Sequence, residues 1–391
     1  MFQPLTNFVQ RSAIFVLLIL TIGAVVAFAG VNHLARRFVA NEQARGRRLY
    51  VQGTADLNAG RADLAIEELR AALTCDRHNS QYQLTLGRAL RDTGRLDEAQ
   101  SYLESLWVRT PEDGTINLAL GRVEAQRGSV EGALRYYHNA MYGVWASDAD
   151  GNRRKARLEL IEFLLQKHAL DQARSELVAL AASLPPHPAL RERTADLLAQ
   201  AQDYPDALSE YEQVLHLDRG NEAALAGAGQ AAYRAGRYRT AQRYLERATT
   251  ANPQDTNLHD LYASASLILQ TDPFLRRISD AERNRRIASA YEVAGKRLSD
   301  CAGQRGVDLE SKKQSPGGNT LESPLSALQE RWIAARRDLP RLRSAAESDL
   351  PDILMDLVFD IEQETANECG EPHGADMALL LISRDRETVD Q

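Results

Sequence analysis

Cysteine is scarce in this chain. Three stand in 391 residues, Cys75, Cys301 and Cys369, and no two form a CxxC pair, which excludes a zinc knuckle and a thioredoxin-like redox site. Cys301 and Cys369 either bridge in an oxidising compartment or stay as thiols; the sequence leaves both open. The histidines are dispersed too. None of His33, His78, His138, His168, His187, His216, His259 and His373 falls into an HxxxH or HExxH spacing, so no metal site is expected. Glycine loops that cradle phosphate and the GxSxG nucleophile turn are missing. Paired carboxylates such as Asp97-Glu98 sit where a turn meets a helix start, which suits the helix N-terminus better than acid catalysis. His373 near Cys369 is too loose a pair to imply a nucleophile. The expectation is a protein that is not an enzyme, with no cofactor and no small-molecule substrate. Positive charge is not in excess either. The net charge is −7 and the pI about 5.7, so no global field holds nucleic acid. Aromatic residues make up only 6%, while Ala, Leu, Arg and Glu abound, which favours close-packed helices over sheets.

One stretch lacks charge altogether. The 19 residues Ala13 to Val31 carry a single clearly polar side chain, Thr21. At helical rise they extend about 28 Å, close to the apolar thickness of a bilayer. Residues 1–36 are therefore expected to be a membrane anchor, with a lipid bilayer as partner through residues 13–31. The alternative is a signal peptide, since Ala27-Phe28-Ala29 before Gly30 has the small-x-small pattern of a cleavage site. Arg36, Arg37, Arg45, Arg47 and Arg48 outnumber Arg11 on the other flank. That bias favours a plasma or inner membrane protein with a cytoplasmic body, with a periplasmic or extracellular body as the alternative.

What is abundant is repetition. Ala65, Ala99, Ala133, Ala173, Ala207 and Ala241 are spaced by 34, 34, 40, 34 and 34 residues, the exception holding six polar, turn-forming residues, Asp148 to Arg153, that read as an inserted loop. Twelve residues before each alanine stand Gly53, Gly87, Gly121, Ile161, Ala195 and Gly229. Five before stand Gly60, Gly94, Gly128, His168, Gln202 and Gly236, and four after stand Leu69, Leu103, Tyr137, Leu177, Tyr211 and Leu245. These columns describe an antiparallel helical hairpin. Small residues mark where two backbones approach, the −5 position ends the first helix with positive φ, and the large apolar residues of the second helix face the core.

The pattern resembles the tetratricopeptide repeat (TPR) family, most clearly in QLTLGRALRDTGRLDEAQSYLESLWVRTP and AGAGQAAYRAGRYRTAQRYLERATTANP. It departs from the family where an early tryptophan is replaced by Leu49, Gln83, Asn117, Arg157, Arg191 and Leu225. The resemblance implies an all-α fold: a right-handed TPR superhelix, or α-solenoid, of about six hairpins over residues 46–270. One transmembrane helix precedes it and a capping helix follows over 279–302. It also implies a concave groove lined by the first helix of each repeat, which binds a protein or peptide partner. By family geometry Arg88, Arg91, Arg122 and Gln126 face that groove from repeats 2 and 3. Lys155, Glu162 and Gln166 follow from repeat 4, Glu192, Asp196 and Gln200 from repeat 5, and Gln230, Tyr233 and Arg234 from repeat 6. The arginines point to an acidic segment in the partner. The lysine and asparagine of the chaperone-tail clamp are not at their slots, so that ligand is not expected.

Beyond the repeats, the basic residues of the capping segment are interleaved with Asp280, Glu282 and Glu292, as on a solvated face. Residues 303–324 read as a flexible linker, and 325–391 as a small helical module broken near Pro340. The function expected is a membrane-anchored scaffold that grips partner polypeptides. The alternatives are an exported soluble binding factor and an accessory subunit of an enzyme complex.

Overall fold

The computed structural model describes residues 4–307, 323–344 and 349–389. Seventeen α-helices and one 3-10 turn, and no β-strand, occur among them. Two compact units divide the chain, Met1–Glu176 and Leu177–Gln391.

The first unit is a run of antiparallel hairpins. Helix α1 (Pro4–Asn58) pairs with α2 (Ala62–Cys75), α3 (Ser80–Asp92) with α4 (Leu96–Trp107), and α5 (Gly114–Arg127) with α6 (Val130–Tyr142). Helix α7 (Ala149–Gln166) and the start of α8 (Leu170–Ala181) form the fourth. The second unit continues with α9 (Pro188–Gln200), α10 (Tyr204–Leu217), α11 (Glu222–Arg234), α12 (Tyr238–Ala251) and an unpaired α13 (Thr256–Thr271).

The columns explain this pairing. All six register alanines have zero exposure. A Cβ built on Gly87 would lie 2.8 Å from Leu103 Cγ, and one on Gly229 only 2.7 Å from Leu245 Cδ2. The −12 and +4 columns are thus the two sides of one contact, and a side chain at the first would collide with the second. The −5 column bends the chain between partners. Gly60, Gly94, Gly128 and Gly236 have φ of 71–80°, and His168 (56°) and Gln202 (61°) adopt the same left-handed conformation despite their Cβ atoms. A second set of signals starts the first helices. Asn79, Asp113, Asn221 and Asp255 each accept a backbone N–H from their own first turn.

The insertion differs from expectation. Asp148 to Arg153 is not a loop. Asp148 caps α7, accepting the Gly151 N–H, and the remaining five residues lengthen that helix at its start. The cause is local: Asp148 supplies the side-chain cap, and no proline stands in the segment.

The N-terminal expectation meets a long helix. Helix α1 runs without a break from Pro4 to Asn58, the end of the first helix of the first repeat. Leu20, Ile22, Val25, Val26, Phe28, Val31, Leu34 and Phe38 are all exposed on it. Among the described residues no helix is long and apolar enough to cross a membrane. The side chains of residues 1–17, where the expected span begins, lie outside those described.

After the repeats, α14 (Asp280–Arg305) packs in one core with α15 (Pro324–Ala335), α16 (Leu350–Cys369) and α17 (Ala375–Val389). Ile268 of α13 belongs to the same core. The helix expected alone as a cap is therefore one member of a helical bundle that closes the array. Its register is set by Trp332, whose ring stacks on Tyr291 at 5.1 Å and lies over Gly295. A disulfide joins Cys301 to Cys369, with Cα atoms 5.8 Å apart, so the ends of α14 and α16 are tied together. The 3-10 turn Leu339–Ser344 occupies the break expected near Pro340. The centre of the expected linker, residues 308–322, lies outside the described residues.

Candidate functional site

The residues expected to face a groove separate into three kinds once their neighbours are known. The first kind lines a cavity of about 310 Å³ in the first unit. Arg88 enters it from α3, Arg122 from α5 and Lys155 from α7. Thr115, Trp145, Ser147 and Asn152 complete its wall. Arg122 is committed: its Nε and Nη2 donate to Glu159 Oε2 and Oε1 at 2.7 and 2.6 Å, and this bidentate bond raises its pKa further. Arg91 does not line the cavity; its Nε donates to Asp92 Oδ1 at 2.9 Å. Arg88 differs from both. Its Nε is wholly buried with no hydrogen-bond partner. Burial, then the neighbouring guanidiniums of Arg122 and Arg91, lowers its pKa, the sign of a cation held without compensation.

The second kind lines a cavity of about 340 Å³ in the second unit. Gln200, Gln230 and Arg234 meet there with Tyr204, Tyr211, Asn257 and Leu261. Gly227 leaves room for the ring of Tyr211, whose hydroxyl donates to Asp196 at 2.6 Å. Burial, reinforced by that bond, raises the Tyr211 pKa, so the phenol stays protonated.

The third kind is spent on internal bonds or lies apart. Glu192 accepts from Asn221 Nδ2 at 3.0 Å. Tyr233 packs against the closing bundle, and its hydroxyl pairs with Ser264 Oγ at 2.7 Å. Gln126, Glu162 and Gln166 line neither cavity.

Trp145 and Ser147, just before the insertion, and Asn152 within it occupy no column shared by the repeats, so periodicity does not point to them. The insertion is a signal for Asn152 alone. Elsewhere, Glu362 is fully buried between α14 and α17, and neither of its carboxyl oxygens has a hydrogen-bond partner. Burial and the adjacent Asp376 push its pKa up to about 9. Among the described residues, no group of three His, Cys, Asp or Glu side chains is placed to hold a metal ion.

Family models described as tetratricopeptide repeat match residues 198–265 and, as two overlapping copies, 50–106 and 84–150. Solved structures resemble the chain at low identity. Pseudomonas aeruginosa PilF is 16% identical, covering 57% of this chain and 99% of its own, with a TM-score of 0.38. PilW, a type IV pilus biogenesis factor, is 16% identical over 55% of this chain and 97% of its own, with a TM-score of 0.38. The C-terminal part of a TPR repeat-containing protein from Cytophaga hutchinsonii is 15% identical over 67% and 96%, with a TM-score of 0.42. No curated protein matches the sequence. The chain carries tetratricopeptide repeats.

Proposed function

We propose that this TPR chain is a scaffold that holds a partner polypeptide against the first helices of its repeats. Tetratricopeptide repeats bind protein or peptide partners, and the seam between paired helices here is sealed by the small-residue columns. The observation that carries the reading is the polar lining of the two cavities, which leaves Arg88, Lys155, Gln230 and Arg234 outside the hairpin cores. Such surfaces orient a ligand by hydrogen bonds and charge rather than by reaction. The test is affinity capture with the full chain beside an Arg88→Glu/Arg234→Glu variant. A partner polypeptide lost from the variant supports the reading; one recovered equally by both ends it.

A second element of the proposal concerns place. The uncharged Ala13–Val31 run, with apolar side chains exposed from Leu18 onward, supports a bilayer tether. The Cys301–Cys369 bridge favours a body in an oxidising compartment over the cytoplasmic side suggested by flanking charge. Extraction at alkaline pH tests the tether: release of the intact chain would sink it. Thiol labelling of the cellular protein tests the side. One reactive cysteine without reductant and three with it is the expected result; three reactive cysteines from the start place the body in a reducing compartment.

A further inference from the structure

We infer that the Arg88 cavity is a preformed receptor for one acidic side chain of the bound polypeptide, walled by the segment from Trp145 to Asn152, where the third repeat runs into the insertion. The inference rests on the polypeptide-binding reading and specifies which chemistry that ligand brings. Arg88, Arg122 and Lys155 line the cavity with Arg91 nearby, and among the described residues the carboxylates bonded to these four cations are Glu159 and Asp92. Glu159 is taken by Arg122, and Asp92 by Arg91. Among the described residues, no ion pair is formed by Arg88 or Lys155. A buried guanidinium nitrogen without a partner costs free energy, and an incoming carboxylate removes that cost while accepting the planar donors of arginine.

The wall is held by bonds within the chain. Trp145 Nε1 donates to the Ala140 carbonyl at 2.9 Å, and its ring lies over Gly114, where a side chain would displace it. Asn152 Nδ2 donates to the Ser147 carbonyl at 3.0 Å, closing the segment on itself. A fixed wall lowers the ordering cost of binding. The cavity, at about 310 Å³, is larger than one carboxylate needs, and Leu118 and Trp145 supply apolar surface for the methylene stem of an Asp or Glu. That mixture suits a side chain on a polypeptide better than a bare phosphate.

The test is fluorescence anisotropy with the full chain and a labelled Ala-Glu-Ala-Glu-Ala-Glu peptide, beside its Ala-Gln counterpart. The acidic peptide is expected to bind at least tenfold tighter, with the preference fading as salt is raised. Arg88→Met is expected to lower that affinity at least tenfold without lowering the urea unfolding midpoint, since it removes an uncompensated buried cation. Ser147→Glu, which supplies an internal carboxylate, is expected to block binding and raise the midpoint. Equal binding by wild type and Arg88→Met overturns the receptor and leaves the scaffold reading intact. Displacement by inorganic phosphate, at concentrations where free glutamate has no effect, overturns the carboxylate assignment. If the acidic peptide fails to bind while affinity capture still recovers a groove-dependent partner, only this inference falls. If both fail, the scaffold reading falls with it.

Discussion

One chemical change should have opposite signs at two glycines of this chain. At Gly229 an added methyl would sit 2.7 and 2.8 Å from Leu245 Cδ2 and Cγ, and 3.3 Å from the Leu245 backbone nitrogen. The leucine is fully buried and the backbone nitrogen is held in its helix, so neither gives way readily. Overpacking of this kind costs about 1–3 kcal/mol. Replacing glycine by alanine inside a helix returns about 1 kcal/mol of propensity. Gly229→Ala should therefore lose about 0–2 kcal/mol net. At Gly303, in α14, an added Cβ meets nothing within 4 Å and φ is not positive. Gly303→Ala should gain about 0.4–1 kcal/mol by the same propensity argument alone. The assay is urea denaturation of the full-length protein followed by helical ellipticity, with both variants compared at constant m-value. If Gly229→Ala proved as stabilising as Gly303→Ala, α11 and α12 would not be in contact at that register, and the explanation of the small-residue column would be refuted.

Three further outcomes follow from the same geometry. Gln202→Gly, which frees a left-handed position from its side chain, should stabilise by roughly 0.5–1 kcal/mol, read as a raised urea midpoint. The buried Glu362 gives a pH dependence whose sign is fixed. Because its pKa in the folded state, about 9, exceeds the ordinary 4.5, the folded protein holds the proton more tightly. Its contribution is fully favourable below pH 4.5 and is lost as pH rises towards 9, about 3 kcal/mol of it by pH 7. Glu362→Gln should flatten that decline, measured as unfolding midpoints from pH 5 to 9; an unchanged slope would show that Glu362 is not the group responsible. Cys301→Ser opens a loop between residues 68 apart and should cost the closing bundle roughly 4 kcal/mol, visible as faster hydrogen exchange in α16 and α17.

The sequence by itself determined the hairpins. Six alanines in register, a positive-φ column and facing small and large columns describe contacts between residues 16 apart, such as Gly87 and Leu103, and such contacts repeat with the chain. Its helix starts are equally legible in the asparagine and aspartate column from Asn79 to Asp255. Tertiary structure alone decided three things. It decided that Arg122 is occupied and Arg88 is not, because Glu159 lies 37 residues from Arg122, outside any repeat column. Assembly of α14, α15, α16 and α17 into one bundle was likewise its choice, since Trp332 finds Tyr291 across a segment with no periodicity. Last, it decided between a bridge and free thiols at Cys301 and Cys369, because only the packing of α14 on α16 sets the distance between them. Local columns encode contacts that recur; a contact made once between distant segments leaves no repeat to read.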